Sequence, residues 1–329
     1  MESKIKQSIK DYGMARGRPY SESTIKIYLS NIRNLHHMCC GDKDFKDLIF
    51  LTDYEKVETV MGELKDHTRR NYLNALLVAL HSETPKPDML IAYYSGKRDV
   101  LNHKTAKDLG ENGGLTSKQE DTFNKVSKEN IDAFLSGINP IKIKHSHYEL
   151  MMYLLMLIHR QYPLRNELGD CKFIKRSQMK SLSEEDKLKS NWCLLDASGK
   201  TGIFIITKYK TSKTYGTREI PISPEIMPII RLWLKQRKIE VTSIKDDFTP
   251  PFCCFTNGNG MTRNALSHKF SDYTKQYLGA PISTTMMAKY YSVTLDLNST
   301  MEDIKKAQHR ADMRGHSLST QVQNYQINK

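Results

Sequence analysis

The stretch LGENGGLTSKQ, residues 109–119, holds three glycines and almost nothing to bury, and it separates two tracts with pronounced apolar patterning. Glycine clusters among polar residues favour turns and open backbone over helix or strand. A chain of 329 residues broken in this way has length for two bodies, each with its own core. The reading is a first domain over 1–110, a linker over 111–125 and a second domain over 126–329.

The first tract patterns as helix. Ser21 or Ser23 can cap a helix whose apolar residues Ile25, Tyr28, Leu29, Ile32 and Leu35 recur at three- and four-residue spacing. A second stripe runs through Tyr54, Val57, Val60 and Leu64. Thr68 can cap a third helix that buries Tyr72, Leu73, Leu76, Leu77 and Leu80. That start puts Arg69 and Arg70 in the first turn, where the helix dipole disfavours cations. A phosphate partner and a solvated turn both account for them.

In the second tract Ser127 can cap a short helix, and HYELMMYLLMLIHR makes a strongly apolar one. GIFIITKYK is rich in β-branched residues; after the turn-like TSKTYG, a second run, TREIPIS, completes a β-hairpin. Pro224 is expected to open the helix PEIMPIIRLWLKQRK, and from Asn264 onward helical stripes alternate with short polar breaks. The fold class that follows is mainly α with a small antiparallel β-sheet, a helical domain first and an α+β domain second.

Lys and Arg number 50 against 37 acids, a formal charge of +13, which points to nucleic acid over a merely solvated basic surface. No apolar run approaches the roughly 20 residues that cross a bilayer. The opening MESKIKQSIKDYG lacks the apolar core of a signal peptide, so an intracellular protein without a membrane partner is expected, nucleus or cytoplasm unspecified. Six cysteines, at 39, 40, 171, 193, 253 and 254, form no CxxC pair and suit reduced thiols. His36, His37, Cys39 and Cys40 offer half a zinc site with no second half, and read as helix residues.

Three islands carry residue types suited to phosphate chemistry. In YPLRNEL, residues 162–168, an arginine directly after so apolar a helix must be paired or face a ligand. Glu167 can brace Arg165 and leave guanidinium donors for a phosphate oxygen; a structural Arg–Glu pair is the plainer reading. In the hairpin, Lys210 and Lys213 are either solvated or able to carry an ammonium into a groove and protonate a leaving oxygen. The ending RGHSLSTQVQNYQINK sets His316 in a Gly-His pair and Tyr325 four residues from the last, with hardly an apolar stripe between them.

In their order these islands resemble the tyrosine recombinase (integrase) family. Its signature is an Arg in an R-x-[ED]-L context, a Lys in a β-hairpin, an H-x-x-R box, and a Gly-His followed about nine residues later by a Tyr. Here RNEL supplies Arg165, the hairpin Lys210 or Lys213, RGHS His316, and NYQ Tyr325. SESTIKIYLSNI resembles the opening helix of the family's core-binding domain, so the likeness spans most of the chain. One box departs. PISTTMMAKYYSV, residues 281–293, has Thr285 at the histidine position and Ala288 at the arginine position. Lys289 is adjacent, but a helix turns about 100° per residue and should aim it elsewhere. Two accounts stay open: an arginine replaced by alanine to hold a DNA complex, or a chain that naturally lacks this phosphate clamp.

The resemblance implies a core-binding domain, then a catalytic domain that attacks DNA with Tyr325 and forms a covalent 3′-phosphotyrosine without metal, ATP or other cofactor. Arg165 and His316 would stabilise the phosphate, Ala288 would be the gap, and the hairpin lysine would act as general acid. The implied partner is double-stranded DNA, held by a homo-tetramer on paired sites. Losing one such donor costs on the order of 10²–10³ in rate, so good DNA binding and poor cleavage are expected. The hairpin and the STTMMAKYY box look more like those of recombinases from mobile elements and DNA viruses of eukaryotes than those of bacterial chromosome-maintenance enzymes. Two rivals remain: a type IB topoisomerase, which shares these residues but only relaxes supercoils, and a DNA-binding protein whose catalytic site has decayed.

Overall fold

The apolar spacing of the first tract becomes a helical body made of α1 (Glu2–Ala15), α2 (Glu22–Cys40), α3 (Tyr54–Gly62), α4 (Asp66–His81) and α5 (Asp88–Glu111). The computed structural model describes residues 2–111, 115–245, 248–293, 295 and 298–325. It divides into two compact units, Met1–Gly110 and Glu111–Lys329. Ser21 caps α2 by accepting a hydrogen bond from Thr24 N at 3.1 Å, and Ile25, Leu29, Ile32 and Leu35 are buried. They pack with Leu73, Leu76, Leu77 and Leu80 of α4, each such side chain contributing about 1.5–3 kcal/mol.

Two expectations change in this unit. Thr68 is not a cap: α4 begins at Asp66, whose carboxylate suits the positive end of the helix dipole. Arg69 therefore sits a turn in, 3.8 Å from Asp66 at i,i+3, and the argument that the dipole repels Arg69 and Arg70 no longer holds. His36 lies in α2 with its ring against Phe45 and Phe50, each 5.1 Å away.

The second unit opens with α6 (Ser117–Lys125), α7 (Lys128–Gly137) and the short α8 (Pro140–Ile143), followed by α9 (His147–Gln161). The expected linker 111–125 is in its latter part the helix α6. Thr116 and Gln119 form a reciprocal capping box there, and Phe123 stacks on Tyr290 at 4.0 Å. Residues 112–114 lie outside the described residues. α9 is buried almost all round, from Leu150 to Met156, and forms the centre of the core.

Four strands make one sheet in the order β1-β2-β3-β4: β1 (Cys171–Lys175), β2 (Asn191–Leu195), β3 (Gly202–Ile206) and β4 (Arg218–Pro221). β3 and β4 are the expected antiparallel hairpin, with Phe204 opposite Ile220. β2 pairs antiparallel to β3, but β1 joins β2 in parallel, Cys171 opposite Asn191, so the sheet is mixed. The parallel pair needs a crossover, and α10 (Arg176–Ser181) with α11 (Glu184–Lys187) supplies it. Alternation gives the sheet two apolar faces. Phe173, Cys193, Phe204 and Ile220 join the main core, while Ile174, Trp192 and Leu194 form a second cluster.

Between β3 and β4 the single-turn α12 (Ser212–Tyr215) lengthens the hairpin loop. α13 (Met227–Gln236) begins three residues after Pro224, with Pro228 inside its first turn, so Pro224 belongs to the preceding turn and does not open the helix. α14 (Arg263–Leu278), α15 (Thr284–Tyr290), α16 (Met301–Arg314) and α17 (Leu318–Tyr325) complete the unit. Among the described residues no helix is long and apolar enough to cross a membrane, and no group of three or more His, Cys, Asp or Glu is arranged to hold a metal ion.

Candidate active site

Arg165 is positioned by the way α9 ends. The chain leaves the helix through Tyr162, whose hydroxyl donates to Pro221 O at 3.0 Å and accepts from Ser223 N at 2.7 Å, tying this turn to the end of β4. His159, fully buried, reaches Leu155 O with Nδ1 at 2.8 Å and Arg165 O with Nε2 at 2.7 Å. Burial pushes its pKa down, and the two carbonyl acceptors resist that shift. The Arg165 amide donates to Glu167 Oε2 at 2.5 Å.

Glu167, 2% exposed, receives two guanidinium groups. Its Oε1 lies 3.9 Å from Arg165 Nη1 and 3.8 Å from Arg218 Nη2. Both distances exceed hydrogen-bond length. At about 4 Å and the effective dielectric of such sites, one charge pair is worth about 4 kcal/mol, but one carboxylate shared between two arginines leaves a positive charge uncompensated. Arg165 Nη1 and Arg218 Nε and Nη2 are buried with no hydrogen-bond partner among the described residues. Each unmet buried donor costs about 1–3 kcal/mol. Burial pushes the Arg218 pKa down, and Glu167 opposes the shift.

Arg218 opens β4 and lies over the Tyr209 ring, 3.7 Å from its centroid. Its Nη1 donates to Met313 O at the end of α16. The two residues that follow Met313 are fastened as well. Arg314, 1% exposed, donates from Nη1 to Pro163 O at 3.0 Å, and Gly315 O accepts from Thr211 Oγ1 at 2.5 Å. Gly315 caps α16 in the left-handed conformation, φ +69°, and a Cβ there would stand 2.4 Å from Tyr209 Cε2. His316 is thereby carried into the cluster.

His316 is buried, and Nδ1 lies 3.1 Å from Ser317 O. A carbonyl only accepts, so Nδ1 carries the proton in that contact and Nε2 is the lone-pair nitrogen of the neutral ring. Burial lowers its pKa, and Arg314, Arg165 and Arg218 lower it further, while the Ser317 bond raises it. A turn back along α16, Arg310 donates from Nη1 to Gln161 O at 3.3 Å. Burial and Arg314 bring its pKa down to about 10.

The hairpin loop is built on Asn191. Its Nδ2 shares two protons among Glu167 O, Asp170 Oδ1 and Lys208 O, and its Oδ1 accepts from Thr207 N and Lys208 N, all between 2.8 and 3.1 Å. Tyr209 closes the loop by donating to Gly216 O at 2.7 Å. Lys210 and Lys213 are both exposed. Lys210 stands between Tyr209, whose ring lies against Gly315, and Thr211, which donates to Gly315 O, whereas Lys213 lies in the outer turn α12.

Of the residues the sequence singled out, Arg165 pairs with Glu167 and His316 lies within electrostatic reach of Arg165, while Lys210 is exposed in the loop whose Thr211 bonds to Gly315. Ala288 is buried in α15, where its methyl offers no donor. Lys289 is also buried and donates from Nζ to Gln119 Oε1 at 3.3 Å, which is where helical geometry aims it. Tyr325 ends α17, and its side chain lies outside the described residues. Arg69 and Arg70 belong to the first unit. Sequence reasoning missed Arg218 and Arg314.

No family model and no curated protein matches this chain. Among solved structures the crystal structure of XerA recombinase is similar, at 10% identity over 100% of this chain and 95% of that chain, with a TM-score of 0.38. A TM-score of that size carries no argument about activity.

Proposed function

We propose that this chain is a site-specific recombinase that cuts and rejoins double-stranded DNA through a covalent 3′-phosphotyrosine at Tyr325. The observation that supports it is the pair Arg165 and Arg218 at a single buried carboxylate, with buried His316 close enough to feel both guanidinium charges and the tyrosine on the helix that directly follows the histidine. Such a cluster suits an anion with several oxygens, which a phosphodiester provides.

In this mechanism the Tyr325 Oη attacks phosphorus and its proton passes to His316 Nε2. The bond from phosphorus to O5′ breaks, and O5′ leaves with a proton from the hairpin lysine. Lys210 is favoured over Lys213, because its neighbour Thr211 is bonded to the Gly-His turn and its neighbour Tyr209 lies against that turn. Charge on the non-bridging oxygens is met by Arg165 and by the cations beside it. The bond energy is held in the phosphotyrosine, so a 5′ hydroxyl from a second duplex reverses the steps and joins new ends. A homo-tetramer on two paired sites provides that second duplex.

The test uses duplexes enriched by binding from a randomised pool, carrying sulfur in place of the bridging 5′ oxygen so that a cut cannot be resealed. The unmodified chain is expected to give a denaturant-resistant protein–DNA adduct, and Tyr325→Phe to give none. An adduct that survives in Tyr325→Phe refutes the nucleophile. Tight binding with no adduct refutes the chemistry and favours a decayed site, the reading that Ala288 supports.

A further inference from the structure

The α15 box offers no guanidinium, since position 288 ends in a methyl and Lys289 turns to Gln119. We infer that Arg218 makes the second guanidinium contact to the scissile phosphate, supplying from β4 the clamp that Ala288 does not; this rests on the phosphotyrosine reading above.

The geometry is specific about which edge of Arg218 is available. Nη1 is spent on Met313 O, and the face of the group lies over Tyr209. Among the described residues, the Arg218 nitrogens without a hydrogen-bond partner are Nε and Nη2, both buried. Their N–H bonds point the same way and form the side-on fork that fits two oxygens of one phosphate. Nη2 faces the Glu167 oxygen that Arg165 Nη1 also faces, so the two guanidinium groups flank one point. An arginine placed only for structure would be expected to close that carboxylate with hydrogen bonds, and 3.8 Å does not do so.

The position also explains the hairpin. Arg218 begins β4 at the foot of the loop that carries Lys210, and it reaches across to the segment that presents His316. One side chain thereby sets the spacing between the candidate acid and the candidate imidazole. With Arg218 in this role the chain is competent as it stands, in contrast to the poor cleavage expected from Ala288 alone.

The test compares single-turnover adduct formation on the binding-selected duplexes with two scissile linkages, the ordinary phosphodiester and a neutral methylphosphonate. Arg218→Ala is expected to slow the phosphodiester reaction on the order of 10²–10³-fold. Added guanidinium ion should restore part of that rate, and on the methylphosphonate, which carries no charge to stabilise, the variant should match the unmodified chain within a few-fold. A variant within threefold of the unmodified chain on the phosphodiester overturns the inference. So does an equal loss on both linkages without rescue, which marks a structural role. Should Arg218→Ala fail to fold, Arg218→Lys is measured on the same two linkages. A loss confined to the phosphodiester then supports the inference, and an equal loss on both overturns it. If the unmodified chain binds but yields no adduct, the phosphotyrosine reading falls, and this inference with it.

Discussion

Gly315→Ala probes the joint that brings the hairpin to the Gly-His turn. Two costs add. Alanine in the left-handed conformation that Gly315 adopts, φ +69°, costs about 1–2 kcal/mol. Its Cβ would also lie 2.4 Å from Tyr209 Cε2 and 3.1 Å from the Tyr209 hydroxyl, closer than atoms pack, so the ring must move. Overpacking of that kind costs about 1–3 kcal/mol, for a total of about 2–5 kcal/mol. Gly279→Ala is the internal control. Gly279 caps α14 at φ +80° with nothing within 4 Å of a Cβ, so it bears only the first cost. Both tryptophans, Trp192 and Trp233, lie in the second unit, so tryptophan fluorescence in a urea titration reports that unit alone. Moving Tyr209 also disturbs the support of Arg218 and the Thr211 bond to Gly315. Gly315→Ala should therefore lose adduct formation, with DNA binding by the chain retained. A Gly315→Ala midpoint no lower than that of Gly279→Ala would refute the packing argument.

Two further expectations concern protons. Lys210→Ala should slow cleavage of the ordinary phosphodiester by 10²–10⁴-fold yet recover on the 5′-bridging sulfur duplex, whose thiolate leaves without an acid; Lys213→Ala should show neither effect. Recovery in Lys213→Ala instead would reverse the assignment. The second concerns pH: burial lowers the pKa of His147, His159 and His316 below the ordinary value, so near and below pH 6.5 the unfolded chain takes up protons that the folded one does not. Stability of the second unit is therefore full above that pH and falls as pH drops toward the folded-state values. Urea midpoints read by tryptophan at several pH values check it, and a midpoint that rises on acidification contradicts it.

Much of the architecture was legible because one-dimensional periodicity survives folding. The stripe from Ile25 to Leu35 and the apolar run around Leu150–Met156 are buried helices, and the β-branched run at 202–206 is a strand. β1 was not legible, because CKFIK is short and its parallel partner lies across a crossover, which leaves no local turn signal. In the site, Arg165, Glu167 and His316 stood out by motif. Arg218 did not, although the alternation that turns Ile220 inward turns Arg218 inward too. Arg310 and Arg314, four apart just before the Gly-His pair, give one stripe on α16, but their carbonyl partners, at the end of α9 and just past it, exist only in three dimensions.

Met313, Arg314 and Gly315 are each fastened to a different element: β4, the turn after α9, and the hairpin loop. The chain is thus moored immediately ahead of α17, and the cation cradle is finished before the polypeptide reaches its tyrosine. Under the proposed chemistry, the phosphate would be gripped by side chains fixed ahead of α17, and the attacking phenol would come from the stretch that follows them. On that proposal, gripping and attacking would fall to consecutive lengths of one chain, joined at Gly315.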